Sequence, residues 1–330
     1  MIISRTPFRI SFFGGGTDYP AWYEEHSGAV LATTINKYCY ITCRYLPPFF
    51  EHDNRVVWSK IENVKTFDEI QHPAARAVLK YLKIKNGIEV HHDADLPART
   101  GLGSSSAFTV GLLNCLFALK GKMISNEKLA LEAIKVEQNI LKENVGSQDQ
   151  ISAAFGGLNV LEFKSKNNFL VNPVVVNNTR LKQLERHLMF FFTGISRTAS
   201  EIAKEQVEKI PDRKNELKTL HQMVYEAVDI LNSRHDIVEF GKLLHEGWML
   251  KRELSDKISN DFIDDIYNAA RDAGTIGGKI SGAGGGGFML LFAKPENQTK
   301  IKEALKNLLY VPIKFESFGS QIIFYQPNGK

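Results

Sequence analysis

The sequence has few cysteines, a nearly balanced charge and no long apolar run. Among its 330 residues, Cys39, Cys43 and Cys115 are the only cysteines, and they form neither a CxxC pair nor a metal-ligand spacing. An odd and sparse set of this kind favours a reducing cytoplasm. The formal net charge is only +4 and no basic block is present, so the sequence does not indicate nucleic-acid binding.

Signals for membrane insertion or export are also missing. No apolar run approaches the length of a membrane span. The N-terminus, Met-Ile-Ile-Ser-Arg, leads straight into polar and aromatic sequence, which differs from a signal peptide. We therefore expect a cytoplasmic protein that binds neither membranes nor nucleic acid. The sequence leaves the oligomeric state open between monomer and homodimer.

Length and composition predict a folded protein of two domains. Hydrophobic residues make up 43% of the chain and charged residues 24%, which is ordinary for a globular protein. A chain of 330 residues most naturally forms two domains. The composition changes near residue 180, so we expect an N-terminal domain over 1–180 and a C-terminal domain over 181–330.

Strand and helix patterns alternate along the whole chain. Alternating apolar residues predict strands over 2–13, 29–46, 55–61, 88–92, 158–163, 186–193, 275–281, 287–293, 311–318 and 321–326. Helical patterns cover 73–82, 125–142, 197–209, 211–232, 236–254, 260–273 and 295–309, and a further helix begins at Ser147, which has capping-box spacing with Gln150. Antiparallel strands interleaved with helices favour an α+β fold over a parallel, doubly wound sheet.

The segment from Pro97 to Ala107 has the composition of a phosphate-binding loop. It follows a predicted strand and opens an apolar helix, and a turn rich in Gly and Ser at that point exposes backbone N–H groups at the positive end of the helix dipole. Serine hydroxyls can add hydrogen bonds or a magnesium ligand. The alternative is an ordinary helix N-terminus capped by serine.

The loop differs from two well-known phosphate-binding motifs. It is not a Walker loop, because no Gly-Lys-Ser/Thr closes it, and it is not a dinucleotide fingerprint, because the third glycine is missing. The predicted nucleotide-binding residues are Pro97, Arg99, Thr100, Gly101, Leu102, Gly103, Ser104, Ser105, Ser106 and Ala107.

Two further glycine clusters lie near the ends of the chain. Gly14-Gly15-Gly16-Thr17-Asp18 follows the first strand and predicts either a plain turn or a bend that leaves room for something close to the backbone. The second cluster, 279–287, contains a formal Gly-x-Gly-x-x-Gly, but a strand follows where a dinucleotide site needs a helix. It also lacks the other protein-kinase motifs. We expect its backbone to pack against a ligand or against the first glycine-rich loop.

These three segments, in this order, resemble the three motifs of the GHMP kinases (galactokinase, homoserine kinase, mevalonate kinase and phosphomevalonate kinase). Pro97 to Ala107 resembles the second motif, Arg9 to Tyr19 the first and the 279–287 cluster the third. The resemblance implies a two-domain fold, in which the N-terminal domain is like the second domain of ribosomal protein S5 and the C-terminal domain is ferredoxin-like. ATP and the acceptor would then bind in the cleft between the domains, with Mg²⁺ as cofactor.

The resemblance also implies catalytic roles. Sugar kinases of the family carry an aspartate in a Gly-x-x-Asp-Gln segment, which matches Asp149 here and would orient the acceptor hydroxyl and take its proton. Arg9 matches the first-motif arginine, expected near that aspartate and the transferred phosphoryl group. Glu137 resembles the magnesium-binding glutamate, with either Ser105 or Ser106 as the other ligand. The alternatives are a helix-end carboxylate for Asp149, a structural ion pair for Arg9 and a solvated side chain for Glu137.

The first motif differs from that of galactokinases, which read Gly-Glu-His-Thr-Asp-Tyr where this chain has three glycines before Thr17. The sequence of this first motif, together with the Asp149 segment and residues 193–200, resembles the corresponding segments of the D-glycero-α-D-manno-heptose 7-phosphate 1-kinases. That branch makes the 1,7-bisphosphate for GDP-heptose by phosphorylating the anomeric C1 hydroxyl. The alternatives are a kinase of a free sugar such as fucose or galactose, and a sugar sensor without catalysis.

The expected substrate is therefore a small sugar phosphate. Arg197 lies where a strand leads into a helix, which suits the phosphate that the substrate already carries, although an exposed arginine is the alternative. Lys279 is a second candidate for that phosphate. The predicted substrate-binding residues are Gly15, Gly16, Thr17, Asp18, Gly146, Arg197, Lys279, Ser281, Gly282, Gly284 and Gly285.

Overall fold

Two long antiparallel strands form the centre of the first sheet in the computed structural model, which describes residues 1–85, 87–165, 168–195 and 199–327. Strand β1 (Ile2–Phe13) is followed by helix α1 (Pro20–His26) and by strand β2 (Gly28–Tyr45). The apolar side chains of Phe8, Ile10 and Phe12 are buried, as the alternating pattern predicts. The sharp turn between β1 and α1 contains the three-glycine segment.

The remaining elements of the N-terminal half surround this pair of strands. They are β3 (Asn54–Val57), β4 (Ile61–Val64), α2 (Pro73–Tyr81), β5 (Ile88–Ala94), α3 (Ser104–Leu119), α4 (Asn126–Ile134), α5 (Gln148–Phe155), β6 (Asn159–Ser165) and β7 (Asn168–Pro173). Helix α3 is buried over most of its length and packs on β1 and β2. Ser4 Oγ donates to the Gly111 carbonyl at 2.9 Å, which shows how closely this helix approaches the sheet.

The C-terminal half adds a second sheet with its own helices. Its elements are α6 (Asn178–His187), β8 (Leu188–Phe192), α7 (Ala199–Lys209), α8 (Lys214–Asn232), α9 (Val238–Glu253), α10 (Asp261–Asp272), β9 (Thr275–Ile280), β10 (Phe288–Ala293), α11 (Gln298–Ala304), β11 (Leu309–Tyr310), β12 (Phe315–Glu316) and β13 (Gln321–Tyr325). Strands β8 to β11 form an antiparallel sheet in the order β11-β8-β10-β9. With helices between β8 and β9 and between β10 and β11, this is the ferredoxin-like arrangement that we expected.

The last two strands return to the first sheet. Its strand path runs β13-β1-β2-β5-β3-β4, with β6 and β12 also paired to β2 and with β7 paired to β6. Residues 315–316 and 321–325, which the sequence prediction assigns to a C-terminal domain over 181–330, thus pair with β2 and β1. The division near residue 180 stays a prediction. The α+β class is confirmed.

Several element boundaries differ from the sequence prediction. The segment 125–142 is not one α-helix, because α4 ends at Ile134 and the chain continues as a π-helix over Lys135–Ile140. The segment 55–61 divides into β3 and β4 around a tight turn. Strand β7 and helix α6 were not predicted, since their sequences are largely polar and exposed. Within the described part of the chain, no helix is long and apolar enough to cross a membrane.

Candidate active site

The predicted phosphate loop lies at the N-terminus of the buried helix α3. Gly103 is the N-cap with φ of 72°, and Gly101 has φ of 78°, so both adopt the left-handed conformation that favours glycine. The N-cap makes no side-chain hydrogen bond, so the alternative of an ordinary serine-capped helix is wrong. The first N–H groups of α3 are thereby available to an anion.

The third glycine cluster packs directly on this loop. A Cβ on Gly282 would lie 2.6 Å from the Cα of Gly101, and a Cβ on Gly287 would lie 2.2 Å from the carbonyl oxygen of Thr100. A Cβ on Gly284 would lie 2.7 Å from the Cα of Ile258, and the Gly285 N–H donates to the Ile258 carbonyl at 2.9 Å. Of the two predicted alternatives, packing against a ligand or against the glycine-rich loop, the structure shows the second. The glycines allow the two backbones to come into contact.

Arg9 and Asp149 meet beside the phosphate loop. Both Nε and Nη2 of Arg9 lie 2.7 Å from Asp149 Oδ1, and Nη1 donates to the Gly101 carbonyl at 2.6 Å. A Cβ on Gly103 would lie 3.3 Å from Asp149 Oδ2, so the carboxylate borders the loop. The side chain of Arg9 is 4% exposed and that of Asp149 is 25% exposed. The structure thus brings together the two predicted catalytic residues and the predicted nucleotide site.

A second carboxylate, Asp18, lies buried close to this pair. Its Oδ1 accepts a hydrogen bond from the Gly16 N–H at 3.1 Å, and its backbone carbonyl accepts one from Ser147. A Cβ on Gly146 would lie 1.9 Å from Asp18 Oδ2, so glycine is required there. Burial, with a smaller contribution from the charge of Asp149, raises the pKa of Asp18. Thr17 instead donates its hydroxyl to backbone carbonyls, and its binding role stays a prediction.

Glu137 lies on the π-helix and points its carboxylate towards the first turn of α3. Its Oε2 accepts hydrogen bonds from Ser106 Oγ at 2.8 Å and from the Gln150 amide. Among the described residues, its Oε1 is buried and has no hydrogen-bond partner. Burial raises the pKa of this carboxyl to about 7. Glu137 is not a solvated side chain, so that alternative is wrong.

The Glu137 carboxylate and the Ser106 hydroxyl fit a magnesium site. Mg²⁺ takes few protein oxygens and keeps waters and phosphate oxygens as its other ligands. Glu137 offers the unpartnered oxygen, and Ser106 lies within hydrogen-bond distance of the same carboxylate, whereas Ser105 is exposed. The geometry therefore favours Ser106 over Ser105 as the second protein ligand.

The predicted capping box at α5 is wrong. Ser147 is the N-cap, but its hydroxyl makes no capping bond and instead lies 3.1 Å from both the Tyr23 hydroxyl and the Gln138 amide. The Gln150 side chain reaches Glu137 rather than the N-cap. Tertiary partners therefore replace the local pair. The first turn of α5 carries Asp149 and also Gln150, whose side-chain amide donates to the Glu137 carboxylate.

Of the two residues predicted to bind the substrate phosphate, Lys279 and Arg197, the structure describes only Lys279. The Lys279 ammonium donates to the carbonyls of Ser11 and Phe12, at 3.0 and 3.1 Å, and the side chain is buried. It therefore ties β9 to β1, and its phosphate role stays a prediction. Arg197 lies outside the described residues.

Lys251 is a site residue that sequence reasoning missed. It lies at the end of α9, 6% exposed, and donates to the Gly282 carbonyl at 2.7 Å. Its ammonium lies 3.4 Å from the position of a Cβ on Gly15. A signal was present in the sequence, because Lys251 continues the buried face of α9 after Leu244 and Trp248, at helical spacing.

The loop at a helix N-terminus, the paired Arg9 and Asp149, and the buried carboxylate beside them define a phosphotransferase. Comparison with protein families gives the same class: residues 69–157 match the model of the GHMP kinases N terminal domain, and 224–311 match that of the GHMP kinases C terminal domain. The chain belongs to the GHMP kinases, whose phosphoryl donor is ATP.

Individual relatives include several sugar kinases. The chain is 29% identical to the D-glycero-alpha-D-manno-heptose 7-phosphate kinase of Campylobacter jejuni subsp. jejuni serotype O:2, over 92% of this chain and 93% of the relative. The crystal structure of a D-glycero-D-manno-heptose 1-phosphate kinase from Bacteroides thetaiotaomicron has a TM-score of 0.77 at 23% identity and covers 97% of this chain and 98% of that one. Lactococcus lactis galactokinase with galactose has a TM-score of 0.74 at 16% identity, over 97% of this chain and 94% of that one. At these identities the two structures show a shared fold.

Proposed function

We propose that this kinase transfers the γ-phosphoryl group of ATP to the anomeric hydroxyl of D-glycero-α-D-manno-heptose 7-phosphate. The product is the 1,7-bisphosphate used to make nucleotide-activated heptose, in the cytoplasm. The observation that carries the proposal is the position of Asp149, held by Arg9 at 2.7 Å beside the phosphate loop. The similarity to the Campylobacter heptose kinase supports the choice of sugar.

In the proposed reaction, the anomeric oxygen attacks the γ-phosphorus, the bond from that phosphorus to the bridging oxygen breaks, and ADP leaves. Asp149 orients the hydroxyl and accepts its proton. The guanidinium of Arg9 offsets negative charge as the nucleophile approaches the phosphate. The N–H groups at the start of α3 hold the phosphates of ATP. Mg²⁺ bound by Ser106 and Glu137 would supply further neutralisation of phosphate charge.

Asp18 is the proposed sugar ligand. A buried carboxylate is a strong acceptor for hydroxyl groups, and Asp18 accepts only the Gly16 N–H through its side chain among the described residues. Gly15 leaves room on this side of the turn, because a Cβ there would come no closer than 3.4 Å to Lys251 Nζ and 3.8 Å to Ser11 Oγ. These residues do not require a phosphate on the sugar, so a kinase of free fucose or galactose is the second candidate.

A kinetic comparison of acceptors tests this function. Heptose 7-phosphate, the free heptose, fucose and galactose would be supplied with ATP and Mg²⁺, and release of ADP would be followed. We expect kcat/KM to be highest for heptose 7-phosphate. Preference for a free sugar would keep the kinase and reject the proposed substrate. ADP release no faster than without acceptor, for every sugar, would favour a sensor without catalysis.

A further inference from the structure

The ammonium of Lys251 lies beside the three-glycine turn, near Asp18 and Asp149, and has capacity for another partner. Burial lowers its pKa to about 8, while the charges of Asp18 and Asp149 oppose that shift and the charge of Arg9 adds to it. Within the described part of the chain, the Gly282 carbonyl is its one hydrogen-bond acceptor. An ammonium has further N–H donors, and in a buried place they are costly to leave unused.

The neighbouring cations are already engaged. Arg9 donates to Asp149 and to the Gly101 carbonyl. Lys279 donates to two carbonyls of β1. Among the described residues, Lys251 uses one of its three N–H donors, whereas Arg9 uses three of five and Lys279 two of three, so Lys251 has the largest unused share to offer to a ligand.

The charge of the buried group also favours an anion. Lys251 and Lys279 interact electrostatically with each other, with Arg9 and with Asp18. Asp149 is the other carboxylate of the group. Burial lowers the pKa of Lys279 well below its ordinary value and that of Lys251 to about 8, so an added anion would stabilise the protonated forms of these lysines.

Unpartnered hydroxyls lie on the same side. The position that a Cβ would occupy on Gly15 lies 3.8 Å from Ser11 Oγ and 3.4 Å from Lys251 Nζ, so these two polar groups face the same space. Ser11 Oγ and Ser281 Oγ are both buried and have no hydrogen-bond partner among the described residues. Ser281 directly precedes the residue whose carbonyl Lys251 contacts. Such hydroxyls lack partners that a phosphate would supply.

We propose that Lys251, assisted by the hydroxyl of Ser11, binds the phosphate group that the acceptor already carries and so selects a phosphorylated sugar over a free one. This inference rests on the proposed function and assigns it a specificity-determining residue. Asp18 would bind ring hydroxyls of either acceptor, whereas the ammonium contacts a group that only the phosphorylated acceptor has.

The test compares kcat/KM for heptose 7-phosphate and for the same heptose without its phosphate. In Lys251→Met we expect kcat/KM for the phosphorylated acceptor to fall roughly 10- to 100-fold, mostly through KM, because a charged hydrogen bond is lost. The value for the free heptose should change little. Lys242→Met is the matched control, since Lys242 lies on the same helix, is exposed and pairs with Glu239. It should leave both values unchanged.

Two further readouts keep the result interpretable. Ser11→Ala retains the backbone that holds Lys279 and should lower the preference for the phosphorylated acceptor by roughly 3- to 10-fold, even if Lys251→Met does not fold. In the wild type, kcat/KM for heptose 7-phosphate should fall above about pH 8, as the ammonium loses its proton among Asp18, Asp149, Arg9 and Lys279. The value for free heptose should not follow that fall.

The outcomes separate this inference from the proposed function. A wild type that prefers free sugars contradicts both. A wild type that prefers heptose 7-phosphate, with the same preference in Lys251→Met and Ser11→Ala, contradicts the inference alone. An equal fall in kcat for both acceptors in Lys251→Met would also overturn it, because the ammonium would then act on the transferred phosphoryl group.

Discussion

The two carboxylates of the site differ in their surroundings, and this difference suits them to different tasks. Asp149 is partly exposed and is oriented by Arg9, so it stays near the place where a phosphate-loop ligand and a hydroxyl would meet. Asp18 is 2% exposed, and burial raises its pKa. A carboxylate in the first position can accept a proton, whereas one in the second can hold a hydroxyl group in place.

Replacing Asp149 tests its role as the base. In Asp149→Asn we expect kcat to fall by roughly 10²- to 10⁴-fold, because the amide cannot accept the proton. Binding of ATP, measured by calorimetry, should stay intact. Asp265→Asn on the exposed face of α10 is a matched control and should keep full activity. Normal turnover in Asp149→Asn would remove the base assignment and leave Arg9 and Asp149 as a structural ion pair.

Glu137 predicts a pH dependence of stability in the ligand-free protein. Its pKa is raised from 4.5 to about 7, so the stability gained by keeping it protonated is fully present below the unfolded value and is lost as the pH rises through about 7. The wild type should therefore lose stability between about pH 5 and pH 8 relative to Glu137→Gln, by a few kcal/mol in order of magnitude.

Thermal melting of both proteins across that pH range measures the effect. ATP with Mg²⁺ should reduce the pH slope of the wild type, because a bound cation stabilises the ionised carboxylate. Parallel melting curves for wild type and Glu137→Gln would contradict the account of this residue.

Single site residues could be predicted where they belong to a sequence motif. They could not be predicted where only a tertiary contact brings them to the site. Asp149, Arg9 and Glu137 belong to segments that resemble family motifs, and the structure places Arg9 on Asp149 and Glu137 on Ser106. The role of Lys251 depends on how α9 packs against the third glycine cluster. At Ser147 the sequence predicts a local capping bond that the structure lacks, because the Ser147 hydroxyl contacts Tyr23 and Gln138 instead.

At the scale of elements, the site depends on two loops that touch through their glycines. Gly282→Ala would place a Cβ 2.6 Å from the backbone of Gly101, in a residue with φ of 74°. We expect it to shift the phosphate loop and weaken ATP binding by about 10-fold or more, with a loss of roughly 1–3 kcal/mol in stability. Calorimetric titration with ATP and thermal melting measure the two effects.

Gly121→Ala is the matched control for this prediction. Gly121 also has a left-handed φ, of 67°, but a Cβ there would meet nothing within 4 Å. The control should lose about 1 kcal/mol from backbone strain alone and keep its affinity for ATP. Equal affinity for ATP in Gly282→Ala and Gly121→Ala would contradict the proposed contact between the loops.

Long, strongly patterned elements were predictable, and short or irregular ones were not. Strands β1 and β2 and helices α8 to α10 lie within a few residues of their expected bounds. The π-helix after α4 has no simple sequence signal, although it carries Glu137 towards the first turn of α3. Such π-helical turns are frequent at functional sites, and the extra residue in the turn changes which side chains face inward.

At the scale of the whole molecule, the site forms where the two halves of the chain meet. Arg9, Asp18, Asp149 and the phosphate loop come from the N-terminal half, and Lys251 and the third glycine cluster come from the C-terminal half. The return of β12 and β13 to the first sheet ties the halves together again at the end of the chain. That return could not be predicted, because pairing between strands about 300 residues apart has no local signature.

The position of the new phosphate tests the central claim most directly. Phosphorus NMR of the product formed from ATP and heptose 7-phosphate should show a second phosphate, attached at the anomeric carbon, beside the original one. A phosphate attached at another hydroxyl, or transfer only to sugars without a phosphate, would contradict the proposal that Asp149 activates the anomeric hydroxyl of a sugar phosphate.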